Sequence, residues 1–160
     1  MEDDAIRILD GRRIMALSTA RPDGWPQTTI VGYANEGLTL YFVIFRASQK
    51  FANIANDNRA SVAIGEEPPD MRLAKAVFAG ALSEEVTDLV EREHAWRLLV
   101  DRHPNLVGRA EPDWSLAAMM RATCKHVSVL DYSKGLGHAD ALHFDDEADR
   151  HSATLGSKEG

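Results

Sequence analysis

The chain has a single cysteine, Cys124, in 160 residues, so no disulfide closes within it and a reducing compartment is expected. No apolar run approaches the ~20 residues of a membrane-spanning helix. The opening Met-Glu-Asp-Asp lacks the basic region and apolar core of a secretory signal. A soluble, cytoplasmic protein without a membrane partner is the expectation. Cations are the minority: 18 Lys and Arg against 25 Asp and Glu leave a formal charge of −7. That balance disfavours a nucleic-acid partner, because phosphate backbones need a basic face. Catalytic motifs are as scarce. His-Glu-x-x-His is absent, Cys124 has no second sulfur nearby, and His138 and His143 stand five apart across an expected turn, so the six histidines give no metal-ligand spacing. There is no Gly-x-Ser-x-Gly elbow and no carboxylate pairing that suggests glycosidic or proteolytic chemistry. Gly135-Leu-Gly-His-Ala-Asp140 starts like a dinucleotide loop, but Asp stands where the third glycine belongs and no βαβ unit can follow.

What is present suits one globular domain. Apolar residues make up 44% and charged residues 27%, and a chain of this length buries about 70% of its unfolded surface. Residues 1–12 predict a short leading helix, with Ile6 and Leu9 on one face. Strands are expected over 14–20, 27–34 and 38–45, joined by the tight turns Arg21-Pro-Asp-Gly24 and Asn35-Glu-Gly37. Successive hairpins make an antiparallel meander. A short helix is expected over 48–56, then strands over 60–64 and 74–82, the latter interrupted by Gly80 as a bulge or bend would be. Thr87 is the expected cap of the longest helix, which runs to about Arg102 with Leu89, Trp96 and Leu99 on its apolar face and is ended by Pro104. Residues 113–122 read as a second helical segment, apolar at Leu116, Met119 and Met120. A sixth strand is expected over 124–131 and a last edge strand over 142–144. Residues 145–160 carry few apolar groups and are expected to be disordered. The fold class is mainly β with flanking helices (α+β), a six-stranded antiparallel barrel in one domain over 1–144.

The chain is organised around its third strand, Leu-Thr-Leu-Tyr-Phe-Val-Ile-Phe over 38–45, which runs straight into Arg46-Ala-Ser-Gln-Lys-Phe-Ala-Asn53. Ser48 is a good N-cap for the helix that follows. The free amides and dipole of such a turn favour an anion, phosphate above all, and Arg46 and Lys50 put two cations beside it. A cap alone explains Ser48, strand propensity alone explains Thr28 and Thr29, and solvation alone is the usual state of a lysine such as Lys50.

In order and spacing, the strand, the Pro-Asp-Gly-Trp-Pro turn, the second strand, the Asn-Glu-Gly turn, the Leu-Tyr-Phe strand and Ser-x-Lys-x-x-Asn resemble the pyridoxamine 5′-phosphate oxidase-like family of FMN-binding split barrels. The resemblance covers roughly residues 10–85, and Val127-Ser-Val-Leu-Asp-Tyr-Ser-Lys-Gly135 resembles the closing strand of many members. It implies a homodimer with FMN in two clefts at the subunit interface. Ser48, Gln49 and Lys50 fall where the family holds the FMN phosphate. Thr28, Thr29 and Ile30 fall on the strand along the isoalloxazine ring, and Val43, Ile44 and Phe45 flank the flavin. Asn53 matches a helix position that ties the loop to the helix. The authentic oxidase has basic residues at the positions of Thr29 and Gln49, a threonine at that of Ile44, and a C-terminal tryptophan- and arginine-containing signature that this chain lacks. These departures point away from vitamin B6 oxidation, while Arg46 restores a charge. The implied activity is a flavin oxidoreductase in which the cofactor carries the redox chemistry for a nicotinamide or small reductant. A relative that uses deazaflavin F420 or haem, and a non-catalytic or degenerate dimerisation module, stay open as alternatives.

Overall fold

A computed structural model describes residues 1–144, and the disorder expected over 145–160 lies outside the described residues. Helix α1 (Glu2–Asp10) leads into β1 (Ile14–Ala20), β2 (Pro26–Gly32), β3 (Ala34–Glu36) and β4 (Thr39–Phe45). Helix α2 (Gln49–Asn56), β5 (Arg59–Gly65) and β6 (Lys75–Glu85) follow, then α3 (Leu89–Arg102), β7 (Ala117–Asp131) and β8 (Ala139–His143). All pairings are antiparallel, in the order β2-β1-β5-β6-β7-β4-β3, with β8 beside the far half of β7. Only Tyr33 separates β2, which pairs with β1, from β3, which pairs with β4. One bent strand therefore forms both ends of the sheet, which curls on itself as a split barrel.

The sheet has eight strands rather than the expected six. One of the additional strands arises at Tyr33, whose buried ring turns inward and whose hydroxyl donates to Leu9 O at 2.7 Å, which breaks the expected 27–34 strand in two. The other is β8 (Ala139–His143), the edge strand expected over 142–144 and not counted among the six of the barrel. A bulge does fall beside Gly80, where the β6–β7 register shifts between Gly80 and Ala81, but its extra residue is Lys125 of β7 rather than a residue of β6.

Period-2 alternation sends Leu40, Phe42 and Ile44 of β4 inward against Met15, Leu17 and Met120. Helix α1 closes one side of this core with Ala5, Ile8 and Leu9, and α2 adds Ile54. A second, smaller core lies on the outer side of β4, where Tyr41 and Met119 pack against Ala95 and Leu99 of α3. That packing corrects the expected helix over 113–122. Residues 113–116 form a turn that leaves Leu116 exposed, and from Ala117 on Met119 faces the α3 core and Met120 the barrel, so the apolar run is buried on both faces and shows no alternation. That run is the start of β7. Helix α3 is capped by Asp88 rather than Thr87, its carboxylate accepting from Glu91 N at 2.9 Å. The buried face is Ala95 and Leu99, and Leu89 is exposed. Arg102 pins the end of α3 to α1 through Leu9 O and Arg12 O, at 3.2 and 3.0 Å.

Candidate functional site

Strand β4 ends at Phe45, and the chain turns into α2 within three residues. Ser48 caps that helix twice over: its hydroxyl accepts from Phe51 N at 3.3 Å and donates to Phe45 O at 2.7 Å. The amides of Gln49 and Lys50 come before Phe51 in the first turn, where no i−4 carbonyl of the helix reaches them. Lys50 is half-buried and makes no ion pair among the described residues. Gln49 is exposed and donates its side-chain amide to Asn53 Oδ1 at 2.8 Å.

Asn53 locks this corner to the neighbouring hairpin. It is fully buried, and its amide nitrogen donates to Thr19 Oγ1 at 3.0 Å and Gln27 Oε1 at 3.1 Å. The start of α2 is thereby fastened to β1 and β2. Thr29 lies two residues beyond Gln27 on the same face of β2, and its Oγ1 is buried without a hydrogen-bond partner. Such an atom is uncommon in a folded protein and marks a place where a ligand or water belongs. Thr28 and Ile30 occupy the other face of β2. Thr28 shares a 2.7 Å hydrogen bond with Ser18, and Ile30 is 65% exposed.

The three residues of β4 divide. Ile44 is buried in the barrel core, so its side chain is turned away from the outer face. Val43 lines a pocket of about 270 Å³ with Trp96, Leu99, His103 and Leu106. Phe45 is 72% exposed. The structure thus joins Ser48, Gln49 and Lys50 to the β1–β2 hairpin and leaves Ile30, within β2, and Phe45, at the end of β4, as exposed apolar groups.

Arg46 is engaged elsewhere. Its guanidinium grips Glu85 in a bidentate pair, at 2.7 and 2.8 Å, and donates to Trp114 O at 3.0 Å. The residue expected to add charge at the phosphate seat instead braces the β4–α2 corner against β6 and the segment before β7. The Arg46 hydrogen bonds hold the Glu85 carboxyl below its ordinary value, against the opposing effect of burial. Its stabilisation is fully present above the ordinary carboxylate range and is lost as pH falls through the lowered folded value. Arg46→Ala is expected to cost about 1–2 kcal/mol at neutral pH, discounted for the partial exposure of both groups. Urea unfolding across a pH series checks this, and the gap between wild type and variant should narrow in acid.

Several residues of this neighbourhood were not singled out from the sequence. Thr19, Gln27 and Glu85 join the corner only through contacts between distant segments, at separations of 34, 26 and 39 residues. His103 is another. Its ring lies over Gly32, where a Cβ would meet Cε1 at 3.1 Å, and its Nε2 is 2.8 Å from Tyr33 O.

An antiparallel barrel closed through one bent strand, with a capped strand-to-helix corner at its rim, defines a split β-barrel protein. Residues 1–131 match the family model of pyridoxamine 5′-phosphate oxidase, and the chain belongs to that family. Compared by sequence with curated proteins, it matches none. Among solved structures it is similar to a haem-binding protein from Mycobacterium smegmatis, with 20% identity and a TM-score of 0.75 over 89% of this chain and 57% of that one. The chain thus spans little more than half the length of that relative. It is also similar to an FAD-binding protein from Mesorhizobium loti, at 24% identity and a TM-score of 0.64 over 79% and 91% of the two chains. General stress protein 26 from Bacillus anthracis superposes with a TM-score of 0.69 at 18% identity, over 89% and 98%. At these identities the likenesses show the fold alone.

Proposed function

We propose that the protein is an FMN-binding homodimer and a flavin-dependent oxidoreductase acting on a small substrate. The observation that carries this reading is the β4–α2 corner, where a capped helix start presents two leading amides and the half-buried Lys50, which has no ion pair among the described residues. A phosphate ester fits such a corner, because it needs N–H donors, a cation and the positive end of a helix. The unpartnered Thr29 hydroxyl supplies one further polar atom on the adjoining strand. The residues present therefore fit the group.

FMN would supply the hydride and electron transfer. The chain's own residues bind and orient. Lys50 and the amides of Gln49 and Lys50 would hold the phosphate, with Ser48 keeping the turn in shape. Ile30 and Phe45 would give the ring apolar contacts, and the pocket beside Val43 and His103 would admit a small substrate. No side chain is asked to act as a strong acid or base, in keeping with the absence of a catalytic motif. The homodimer reading is supported by the outer face of the sheet. There Ala16, Ser18, Ser61 and Ala63 leave a shallow groove of about 510 Å³, flanked by the partly exposed Phe78. A self-complementary face of small residues suits an isologous twofold interface.

Purified protein is expected to be yellow, or to take up one FMN per chain on titration, and to sediment as a dimer. A haem-binding reading is favoured by the mycobacterial structure. A Soret band in place of flavin absorption would select it, and a colourless monomer that takes up neither group would sink both.

A further inference from the structure

We propose that His126 and His143 form a binding site for a divalent late first-row transition-metal ion, copper(II) or zinc(II), on the outer face of the sheet. The two residues are direct cross-strand partners on β7 and β8, 17 positions apart in sequence. Their rings meet edge to face at 4.8 Å between centroids, with Nδ1 facing Nδ1 at 2.6 Å. At most one of those nitrogens carries a hydrogen, so the second offers a lone pair toward the first.

Several observations make the pair a built site rather than a chance contact. Both side chains are exposed in the single chain, yet their Nδ1 atoms lie against each other across the β7–β8 pair. The β7 bulge at Lys125 leaves Gly80 opposite His126, and a Cβ on Gly80 would sit 3.4 Å from His126 Cδ2. Glycine leaves the room in which the ring lies. The β7–β8 register is closed beyond the pair by Phe144 N donating to Lys125 O at 2.7 Å. Both histidines line the end of the 510 Å³ groove, whose other polar groups include the hydroxyls of Ser128 and Ser61.

The geometry suits a chelate. Imidazole nitrogens bind such ions at about 2.0–2.1 Å, which places two of them in adjacent positions about 3 Å apart. The rings must open by a few tenths of an ångström and turn so that both Nδ1 lone pairs converge on the ion instead of on each other, within reach of exposed side chains. Neutral imidazole prefers copper, zinc and nickel to magnesium or calcium. No third His, Cys, Asp or Glu joins the pair among the described residues. The other coordination positions are therefore left to water or a small anion. This site is separate from the phosphate corner and lies at the end of the groove that the proposed dimer would cover.

Copper(II) titrated into the purified full-length chain is expected to fill one site per chain, with an electron paramagnetic resonance spectrum showing coupling to two imidazole nitrogens. His126→Asn and His143→Asn should each weaken binding at least about tenfold and remove the two-nitrogen pattern. His138→Asn, which deletes an imidazole held by Asp140 instead, should change neither. Far-UV circular dichroism of the metal-free variants establishes that their sheet is intact, and the single variants serve as two independent tests. Full copper affinity retained in the His126→Asn, His143→Asn double variant would overturn the assignment. So would a wild-type spectrum with fewer than two nitrogen couplings.

Discussion

Replacing Lys50 with glutamate is expected to weaken FMN binding by about a hundredfold, a loss of about 2.7 kcal/mol. The wild-type side chain is half-buried on the first turn of α2 and has no ion pair among the described residues. Reversing its charge removes an attraction and adds a repulsion. A single charge pair at about 4 Å is worth about 4 kcal/mol at the effective dielectric of a protein surface, so the predicted loss is a conservative share of that change. The fold should not weaken with the affinity, because a carboxylate on the first helical turn interacts favourably with the helix dipole. The expected signature is therefore an unchanged melting temperature with a much higher FMN dissociation constant, read by quenching of flavin fluorescence. Equal affinity in the two proteins would remove Lys50 from the phosphate seat.

The second large effect lies in stability. Asn53→Ala is expected to destabilise the protein by about 2–4 kcal/mol, since it strips hydrogen bonds from several polar groups around a fully buried position. Thr19 and Gln27 each lose their donor from Asn53, and Gln49 loses its acceptor. Thr19 is itself buried, so the full desolvation penalty applies there. At about 2–4 °C per kcal/mol for a chain of this size, the melting temperature should fall by about 4–16 °C. FMN affinity should fall too, because the corner that holds Lys50 is fastened to β1 and β2 through this one side chain. A drop in neither quantity would show that α2 is held by its apolar contacts alone.

Local chemistry made much of the fold readable. The Pro22-Asp23-Gly24 turn puts Gly24 at a φ of 85°, a conformation that favours glycine, and Ser48 caps α2 as its position suggested. Gly80 marked the place of a bulge, although the extra residue is Lys125 of the facing strand β7. The strand over 117–122 was not readable, because an apolar run buried on both sides has no period to separate a strand from a helix. Tyr33 broke an expected strand for a tertiary reason, its hydroxyl being drawn to a carbonyl of α1. The site was readable in the same uneven way. Ser48, Gln49 and Lys50 form a contiguous signal. The direction of Arg46 depended on Glu85, 39 residues away, and the meeting of His126 with His143 required the β7–β8 register. Contacts of that separation leave no local pattern in a single sequence.

The position of β4 in the sheet also fixes when the phosphate corner comes into being. Along its whole length β4 pairs with β7, from Thr39 with Thr123 to Phe45 with Ala117, and its other neighbour is the three-residue β3. During synthesis the strand that leads into α2 therefore emerges some seventy residues before its principal partner. Until then it presents an apolar, open-edged ribbon of the kind that invites pairing with another chain. The barrel closes late, through its most sequence-distant pairing, and such topologies fold slowly. Chains ending before β7 should be captured by chaperones or aggregate, whereas chains ending just after it already hold both sides of β4.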